Sequence, residues 1–372
     1  MGLRVVTLDN RPANPGHALA DRSYPFSTTD FAGVLSAAKT EKISGILAPC
    51  TDAALPAAAA TAAALGLPSP SLATTEITGD KLRFRQFQNE HRLPHPRFLE
   101  AGEMEKSAPF SGPWIAKPLR ASGSKGVTWF DQWDTAAGLA DNAKSFCLRH
   151  SALIEEAIPG SQMTCEGILQ NGRIAWSMLT HRHTGKLPHP ATVGHTYSEE
   201  AEAAVAPVIL PQIENLWRRL GYSDGPFDVD LVMGDERLVI LECAPRLGGN
   251  HLSKLARYLG GISLAECAIR HALGIPLPPL PRRLHSGFVR LLVAPAAGCL
   301  QYAPERLERA RAHRGVEEIE MDVPPGSPVQ TFTDGRQRLG HVVARANSRE
   351  EEDLLVAGLL EMIEWKITPW PN

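Results

Sequence analysis

The sequence predicts a mixed α/β and α+β fold in several domains, and three observations carry that reading. Apolar runs alternate with helix-like segments between Leu3 and Gly66. The middle of the chain turns to β-type segments that include a hairpin signal. A proline-dense break at Pro276–Pro281 then precedes a further, mostly β segment.

Taken in order, Leu3–Leu8 is an apolar run closed by Asp9 and reads as a buried parallel strand. A helix over Thr29–Glu41 leads to a second strand of this kind, Ser44–Pro49. Another helix, Asp52–Leu65, stops at Gly66. This rhythm is that of a parallel α/β unit. The first strand lies directly behind Met1 and Gly2, so either the unit lacks its first βα element or the start lies inside a longer gene product. From Thr78 the character changes. A helix over Asp80–Glu90 precedes the strand Trp114–Lys117, a Gly/Ser loop at 120–126 and the strand Val127–Phe130. A helix near Thr135–Lys144, the strand Ala152–Glu156 and β-type segments at Gln162–Leu169 and Arg173–Thr180 follow. A long helix covers about Ser198–Leu220. Asp228–Met233 and Arg237–Cys243 flank the turn Gly234-Asp235-Glu236 and read as a hairpin. A helix near Ser263–Leu273 ends at Gly274. The last helix begins at Ser348, an N-cap with acids in the first turn. The expected domains are 1–77, 78–160, 161–275 and 285–372, with a linker at 276–284.

Composition narrows the class. The chain has 372 residues, enough for two to four domains, and its 43% hydrophobic content argues against disorder. A net charge of -3 gives no reason to expect nucleic acid or an anionic membrane as partner. The six cysteines, at 50, 147, 165, 243, 267 and 299, form no C-x-x-C pair, which fits a reducing compartment without a zinc knot. No apolar leader opens the chain, and the alanine-rich run Ala53–Leu67 is too short to cross a bilayer. The expectation is a cytoplasmic protein without a membrane partner.

Three motifs carry chemistry. In Lys117-Pro-Leu-Arg-Ala-Ser-Gly-Ser-Lys-Gly126, a strand delivers a lysine into a loop of small residues. Such a loop lets backbone N–H groups approach phosphate, or it is a plain hairpin connection. Asp230 and Glu242 lie near facing positions of the inferred hairpin. Two convergent carboxylates can hold Mg²⁺, or they can face water, although the apolar neighbours Val229, Leu231 and Val239–Leu241 make idle acids costly. Arg246, in Ala244-Pro-Arg-Leu-Gly-Gly-Asn-His251, falls close to that pair. It can grip a carboxylate or a developing phosphoryl charge, or serve as a salt bridge in a turn.

In order, the chain offers Asp80-Lys81, Lys117 with its loop, Leu153-Ile-Glu-Glu-Ala-Ile-Pro-Gly160, Asp230, Glu242 and Pro-Arg-Leu-Gly-Gly. This series resembles the ATP-grasp superfamily, and within it the carboxylate–amine ligases of the L-amino-acid-ligase type. The resemblance covers roughly residues 1–275, and 285–372 looks similar to the C-terminal domain of such ligases. It implies an N-terminal Rossmann-like (pre-ATP-grasp) domain and ATP and Mg²⁺ gripped between a small subdomain (78–160) and a larger one (161–275). A β-rich C-terminal domain completes the layout. Matched residue by residue, it implies that Lys81 and Lys117 contact the nucleotide. Ser122, Gly123, Ser124 and Gly126 belong to the phosphate lid. Glu155, Glu156 and Ile158 form the adenine hinge, the first position acting through its carbonyl and the last through its N–H, and Gln162 lies near the ribose. Asp230 and Glu242 are the implied metal ligands, and Arg246 and Lys117 the catalytic residues.

The place that the family often fills with a ligating asparagine is Ala244. The implied reaction is phosphorylation of a carboxylate followed by attack of an amine on the acyl phosphate, with release of ADP and phosphate. Glu166, His195, Arg246, Gly248 and Gly249 are candidates for substrate contact. His181, His183 and His189 read as a polar loop rather than a transition-metal site. Two other readings stay open: a carboxylase-type enzyme that phosphorylates bicarbonate, and a nucleotide-binding module without catalysis. Small-molecule acid and amine partners are expected, and a two-fold dimer is the default assembly.

Overall fold

A computed structural model describes residues 1–147, 151–235, 237–281 and 284–370. Glu236 of the expected hairpin turn, and Arg282 and Arg283 of the linker, lie outside them.

The N-terminal region departs most from expectation. Strand β1 (Val6–Leu8), helix α1 (Pro15–Leu19) and strand β2 (Arg22–Tyr24) are followed by helices α2 (Phe31–Glu41) and α3 (Leu55–Leu65). β1 and β2 pair in parallel, Val6 opposite Arg22. The expected strand Ser44–Pro49 does not form. A Cβ on Gly45 would lie 2.7 Å from the Ala272 carbonyl, so this segment meets a helix C-terminus by close backbone approach instead of joining a ladder. The sheet partner is Arg-Ser-Tyr, whose polar composition carries no strand pattern. Both helices end as their sequences dictate. Lys42 and Gly66 adopt the left-handed conformation and close the last turns.

Helix α4 (Leu72–Thr78) is capped by Ser71 and α5 (Lys81–Glu90) by Asp80, whose carboxylate accepts from the Arg83 N–H. Strands β3 (Phe98–Glu100), β4 (Trp114–Pro118) and β5 (Thr128–Phe130), helix α6 (Ala136–Ser145) and strand β6 (Ala152–Glu156) follow. The four strands form an antiparallel sheet in the order β3-β6-β4-β5. Ala136, Ala140 and Ala143 bring α6 close against Trp114, Ala116 and Ile154.

Next come β7 (Ser161–Gln170), β8 (Arg173–Thr184), β9 (Thr192–Tyr197), α7 (Glu199–Arg219), β10 (Gly225–Met233) and β11 (Leu238–Ala244). Helices α8 (Leu252–Gly260) and α9 (Leu264–Ala272) precede the linker. Beyond it lie β12 (Gly287–Val293), β13 (Gly298–Gln301), α10 (Leu307–Arg311), β14 (Val316–Met321), β15 (Pro328–Val329), β16 (Arg338–Ala344), α11 (Arg349–Met362) and β17 (Lys366–Thr368). Eight strands form one sheet in the order β11-β10-β7-β8-β9-β12-β16-β14, so the sheet continues across the linker. Ile209, Ile213, Leu216 and Trp217 of α7 pack on Met163, Cys165, Val229 and Leu231 of one face. Complete burial of such side chains stabilises by about 1.5–3 kcal/mol each. The other face receives α8 and α9 over Ile168, Met178, Val289 and Val343.

The closest coupling between the two sheets is polar. Lys81, Arg85 and Gln88 recur at helical spacing on α5 and point at β11. Arg85 has no exposed surface. Its Nε donates to Glu155 Oε1 (2.8 Å) and its Nη2 to the Leu241 carbonyl (2.6 Å). Gln88 Nε2 donates to the carbonyls of Ile240 (3.1 Å) and Pro94 (2.8 Å). Burial works against the Glu155 charge, but Arg85 and Lys117 hold its pKa at about 2. Removing one partner of a buried pair strands the other, so Arg85→Met should destabilise by about 3–5 kcal/mol, read as a lowered midpoint in urea. Glu155 is depressed from 4.5, so its contribution is complete above that pH and is lost as pH falls toward about 2. Arg85→Met should therefore also flatten the acid limb of the stability profile.

Candidate active site

Strand alternation builds the site. The period of two that sends Met163, Cys165, Val229 and Leu231 into the core sends Thr164, Glu166, Asp228 and Asp230 to the opposite face. On β11 the register shifts between Asp230 and Leu231. This bulge brings Glu242 opposite Asp230 while Ile240 and Cys243 both stay in the core. Thr164 Oγ1 donates to Asp230 Oδ1 (2.6 Å). Lys81 Nζ lies 3.3 Å from Glu242 Oε1 and donates to the Ala121 carbonyl (3.1 Å). Arg182 Nη1 lies 3.7 Å from Asp230 Oδ2 and donates to Gln162 Oε1 (3.1 Å). Two facing carboxylates, each attended by a cation, form a hard oxygen donor set of the kind Mg²⁺ takes.

Lys117 is buried and ion-paired with Glu155. Desolvation lowers its pKa, and Glu155 opposes that shift. Glu155 itself departs from the expected hinge role. It is paired to β3 on one side and β4 on the other, and its carboxylate is held by Arg85 and Lys117. The Glu156 N–H donates to the Arg97 carbonyl (3.0 Å), so the Glu156 backbone faces β3 and that of Glu155 faces β4. The Arg97 N–H, which would close the pair, donates to the Glu156 carboxylate instead (2.8 Å). This leaves the Glu156 carbonyl and the Ile158 N–H, an acceptor and a donor close together, without a backbone partner among the described residues. The loop behind Lys117 turns through left-handed Gly123, Ser124 and Gly126, with Ser122 exposed at its rim.

Beside the carboxylates lies a second cluster. Arg246 donates from Nε to Asp52 Oδ1 and from Nη1 to Asp228 Oδ2, both at 2.8 Å. These anions raise its pKa against the pull of burial. Glu166 is fully buried and accepts from the Gly248 N–H at 2.7 Å. Burial, then the nearby Asp228, pushes the Glu166 carboxyl well up. Burial and Asp230 bring Asp228 to about 7 against the opposing Arg246. Asp228 Oδ1 is buried with no hydrogen-bond partner among the described residues. Asn250 and His251, at φ 51° and 62°, then turn the chain into α8. His195 is 2% exposed, and its Nδ1 lies 3.1 Å from Thr180 Oγ1. Burial, with Arg182 beside it, lowers its pKa to about 3.

This arrangement has counterparts. Residues 78–250 match the family model described as an ATP-grasp domain, and 290–368 match L-amino acid ligase C-terminal domain 2. The chain is an ATP-grasp protein. Within that superfamily it is carboxylate–amine ligase-like. An L-amino acid ligase from Bacillus licheniformis has the same fold, at a TM-score of 0.82 and 18% identity, over 100% of this chain and 93% of that one. The biotin carboxylase domain of a 2-oxoglutarate carboxylase from Hydrogenobacter thermophilus, in complex with MgADP, ADP and bicarbonate, aligns at a TM-score of 0.70 and 14% identity, over 99% of this chain and 86% of that one. A Sinorhizobium fredii protein is 26% identical over 318 residues, which are 82% of this chain. The ATP-grasp chain spans 65% of the length of that relative.

Against the sequence expectations, the ATP-grasp site groups Lys81, Lys117, Asp230 and Glu242, with Gln162 tied to them through Arg182. Glu166, Arg246 and Gly248 form the adjoining cluster, and Gly249 lies exposed beside it. His181 bonds Ser161 and His183 bonds Thr196, each through its own strand pairing. Sequence reasoning missed Asp52, Arg85, Thr164, Arg182 and Asp228. Asp228 and Thr164 carried a local signal, since Asp228 sits two residues before Asp230 and Thr164 two residues before Glu166, on the same strand faces. The loop holding Arg246 also explains one glycine. A Cβ on Gly248 would lie 2.2 Å from Glu166 Oε2 and 3.0 Å from Asp228 Oδ1. Gly248→Ala should cost about 1–3 kcal/mol in a thermal or urea melt, because the buried carboxylate has no room to retreat.

Proposed function

We propose that this chain is an ATP-dependent, ADP-forming ligase that joins a carboxylic acid to an amine. The observation that carries the reading is the adjacency of two clusters. The Asp230/Glu242 pair with Lys81 and Lys117 suits a nucleotide phosphate tail. Arg246 beside Asp52, Glu166 and Asp228 suits an acid substrate that also bears an amino group.

Asp230 and Glu242 would hold Mg²⁺, which would neutralise phosphate charge. The side chains divide the remaining work. Lys81 and Lys117 steady the phosphate oxygens, and the Glu156 carbonyl and Ile158 N–H orient the base. Arg246, fixed by two carboxylates, keeps its guanidinium positioned for the substrate carboxylate and the charge that develops as the phosphoryl group arrives. The amine then displaces phosphate from the acyl phosphate, forming the amide bond. Loop 120–126 covers the site, which keeps water from the acyl phosphate. Asp52 and Asp228 occupy two sides of the Arg246 guanidinium, and the unpartnered Asp228 Oδ1 is an acceptor for a substrate N–H.

A hydroxylamine trap tests the reading. With ATP, Mg²⁺ and pools of amino acids, hydroxamate and ADP should form together, and Glu242→Gln should reduce both at least about a hundredfold with the melting point retained. ADP formed with bicarbonate alone would replace this reading with the carboxylase one. Nucleotide binding without turnover in any pool would leave a binding module.

A further inference from the structure

The lid loop is held from outside the ATP-grasp domain. Its tip residue Gly123 accepts, through its carbonyl, a hydrogen bond of 2.9 Å from the Gly335 N–H. Gly335 begins a short 3-10 turn, Gly335–Gln337, between β15 and β16. That turn is rigid on its own account. Asp334 is 3% exposed and accepts from the Arg336 N–H (3.0 Å). Gln337 Oε1 accepts in return from the Asp334 N–H (3.1 Å) and from Thr333 Oγ1 (3.0 Å), which closes a capping box.

Two further contacts join the same surfaces. The Arg336 guanidinium lies 5.7 Å from the Phe146 ring centroid. Phe146 in turn packs on the lid's last glycine, because a Cβ on Gly126 would lie 2.6 Å from its ring. Lys125 of the lid and Asp334 carry opposite charges across the same gap. A glycine at each side of the hydrogen bond lets the backbones approach. Their Cα atoms are close enough that a Cβ on Gly335 would sit 3.7 Å from Gly123 Cα.

We propose that the Asp334–Gln337 turn is the catch of the phosphate lid, and that Gly335 is a positioning residue which holds loop 120–126 closed over the nucleotide through the Gly123 carbonyl. This rests on the nucleotide reading above. The catch belongs to the segment matched by the L-amino acid ligase C-terminal domain, so that segment sets how readily the lid opens. Because the catch is a backbone hydrogen bond flanked by surface side chains, it can release without disturbing either core.

Gly335→Pro removes the donor and puts the ring Cδ where the N–H meets the Gly123 carbonyl, so the contact cannot form. Proline is tolerated at the first position of a helical turn, and Asp334, at φ -154° and ψ 169°, already has the extended conformation that precedes proline. Gly335→Ala keeps the N–H, and its Cβ would make an ordinary contact of 3.5 Å with the Gly123 carbonyl oxygen. Arg120 and Lys125 make the lid a trypsin substrate. The experiment measures tryptic cleavage of the full chain in the lid with and without MgADP, beside MgADP affinity by calorimetry and the melting point. The loss of one net hydrogen bond predicts cleavage about two- to tenfold faster in Gly335→Pro, with Gly335→Ala like wild type and melting points unchanged. Phe146→Ala, which removes the second support, should move cleavage in the same direction. In the coupled reaction Gly335→Pro should raise KM for ATP more than it lowers kcat, and should release more ADP per amide. Equal cleavage of wild type and Gly335→Pro, with MgADP bound to both, would overturn the catch and leave the nucleotide reading standing. Absence of MgADP binding to wild type would remove both.

Discussion

The Arg85 guanidinium is the interaction on which the site depends. It sits at the junction of α5, β6 and β11, with no exposed surface, and its three nitrogens reach Glu155, Gln88 and the Leu241 carbonyl. A buried cation of this kind persists only if every donor is matched. The matching fixes more than charge. By holding the carbonyl of Leu241, and with Gln88 holding that of Ile240, α5 secures the bulge in β11. The bulge decides which face Glu242 takes. Without it Leu241 would face Asp230, Glu242 would fall with Ile240 into the core series, and the two carboxylates would lie on opposite sides of the sheet. The same arginine holds Glu155, which holds Lys117. Glu242 and Lys117, far apart in sequence, are thus both placed through one side chain.

Charge is arranged so that cations are present before any ligand arrives. Lys81 leans on Glu242, Arg182 on Asp230, Lys117 on Glu155 and Arg246 on Asp52 and Asp228. These pairs differ in kind. The Glu155 pair is enclosed, so its lysine is held in place rather than offered freely. Lys81 meets a carboxylate that is 37% exposed, where solvent screens the attraction and the partner is easily exchanged. Arg246 is gripped from two sides and cannot swing. A group that must meet an oxyanion in one geometry benefits from that restraint, because the cost of ordering it is met during folding.

Much of this was legible in the chain, and the failures have physical causes. The spacing of Lys81, Lys117, Asp230, Glu242 and Arg246 was visible because the chemistry needs charged residues in apolar surroundings, a local contradiction that stands out. The facing of Asp230 and Glu242 followed from hairpin logic, although the bulge that makes it exact in register could not be read from composition. The Ser348 cap was readable for the same local reason, since its side chain accepts from the Glu351 N–H. Ser44–Pro49 was misjudged because an apolar run was read as a buried strand, whereas only Ala48 of it is buried and Gly45 meets the end of α9 by backbone approach without a ladder. Glu155 was assigned by motif position, whereas strand alternation turns its backbone toward β4 and that of Glu156 toward β3. Arg85 and Gln88 look like an ordinary solvated helix face, and only the packed tertiary structure shows that the face is enclosed.

The proline-dense break was read as a linker before a final domain, and one sheet runs across it. β12 pairs with β9 on one side and β16 on the other, so strands from both sides of the linker share one ladder. Side chains reinforce the joint. Glu352 of α11 has no exposed surface and accepts from Thr196 Oγ1 of β9 (2.6 Å) and Arg290 Nε of β12 (2.9 Å). Separating the segments would strand that carboxylate and open a sheet edge, a cost far above that of parting two surfaces joined by a flexible tether. The final segment is therefore a rigid extension of the frame that carries Asp230. Any contact it makes with loop 120–126 is referenced to Asp230 through a continuous ladder and not through a hinge.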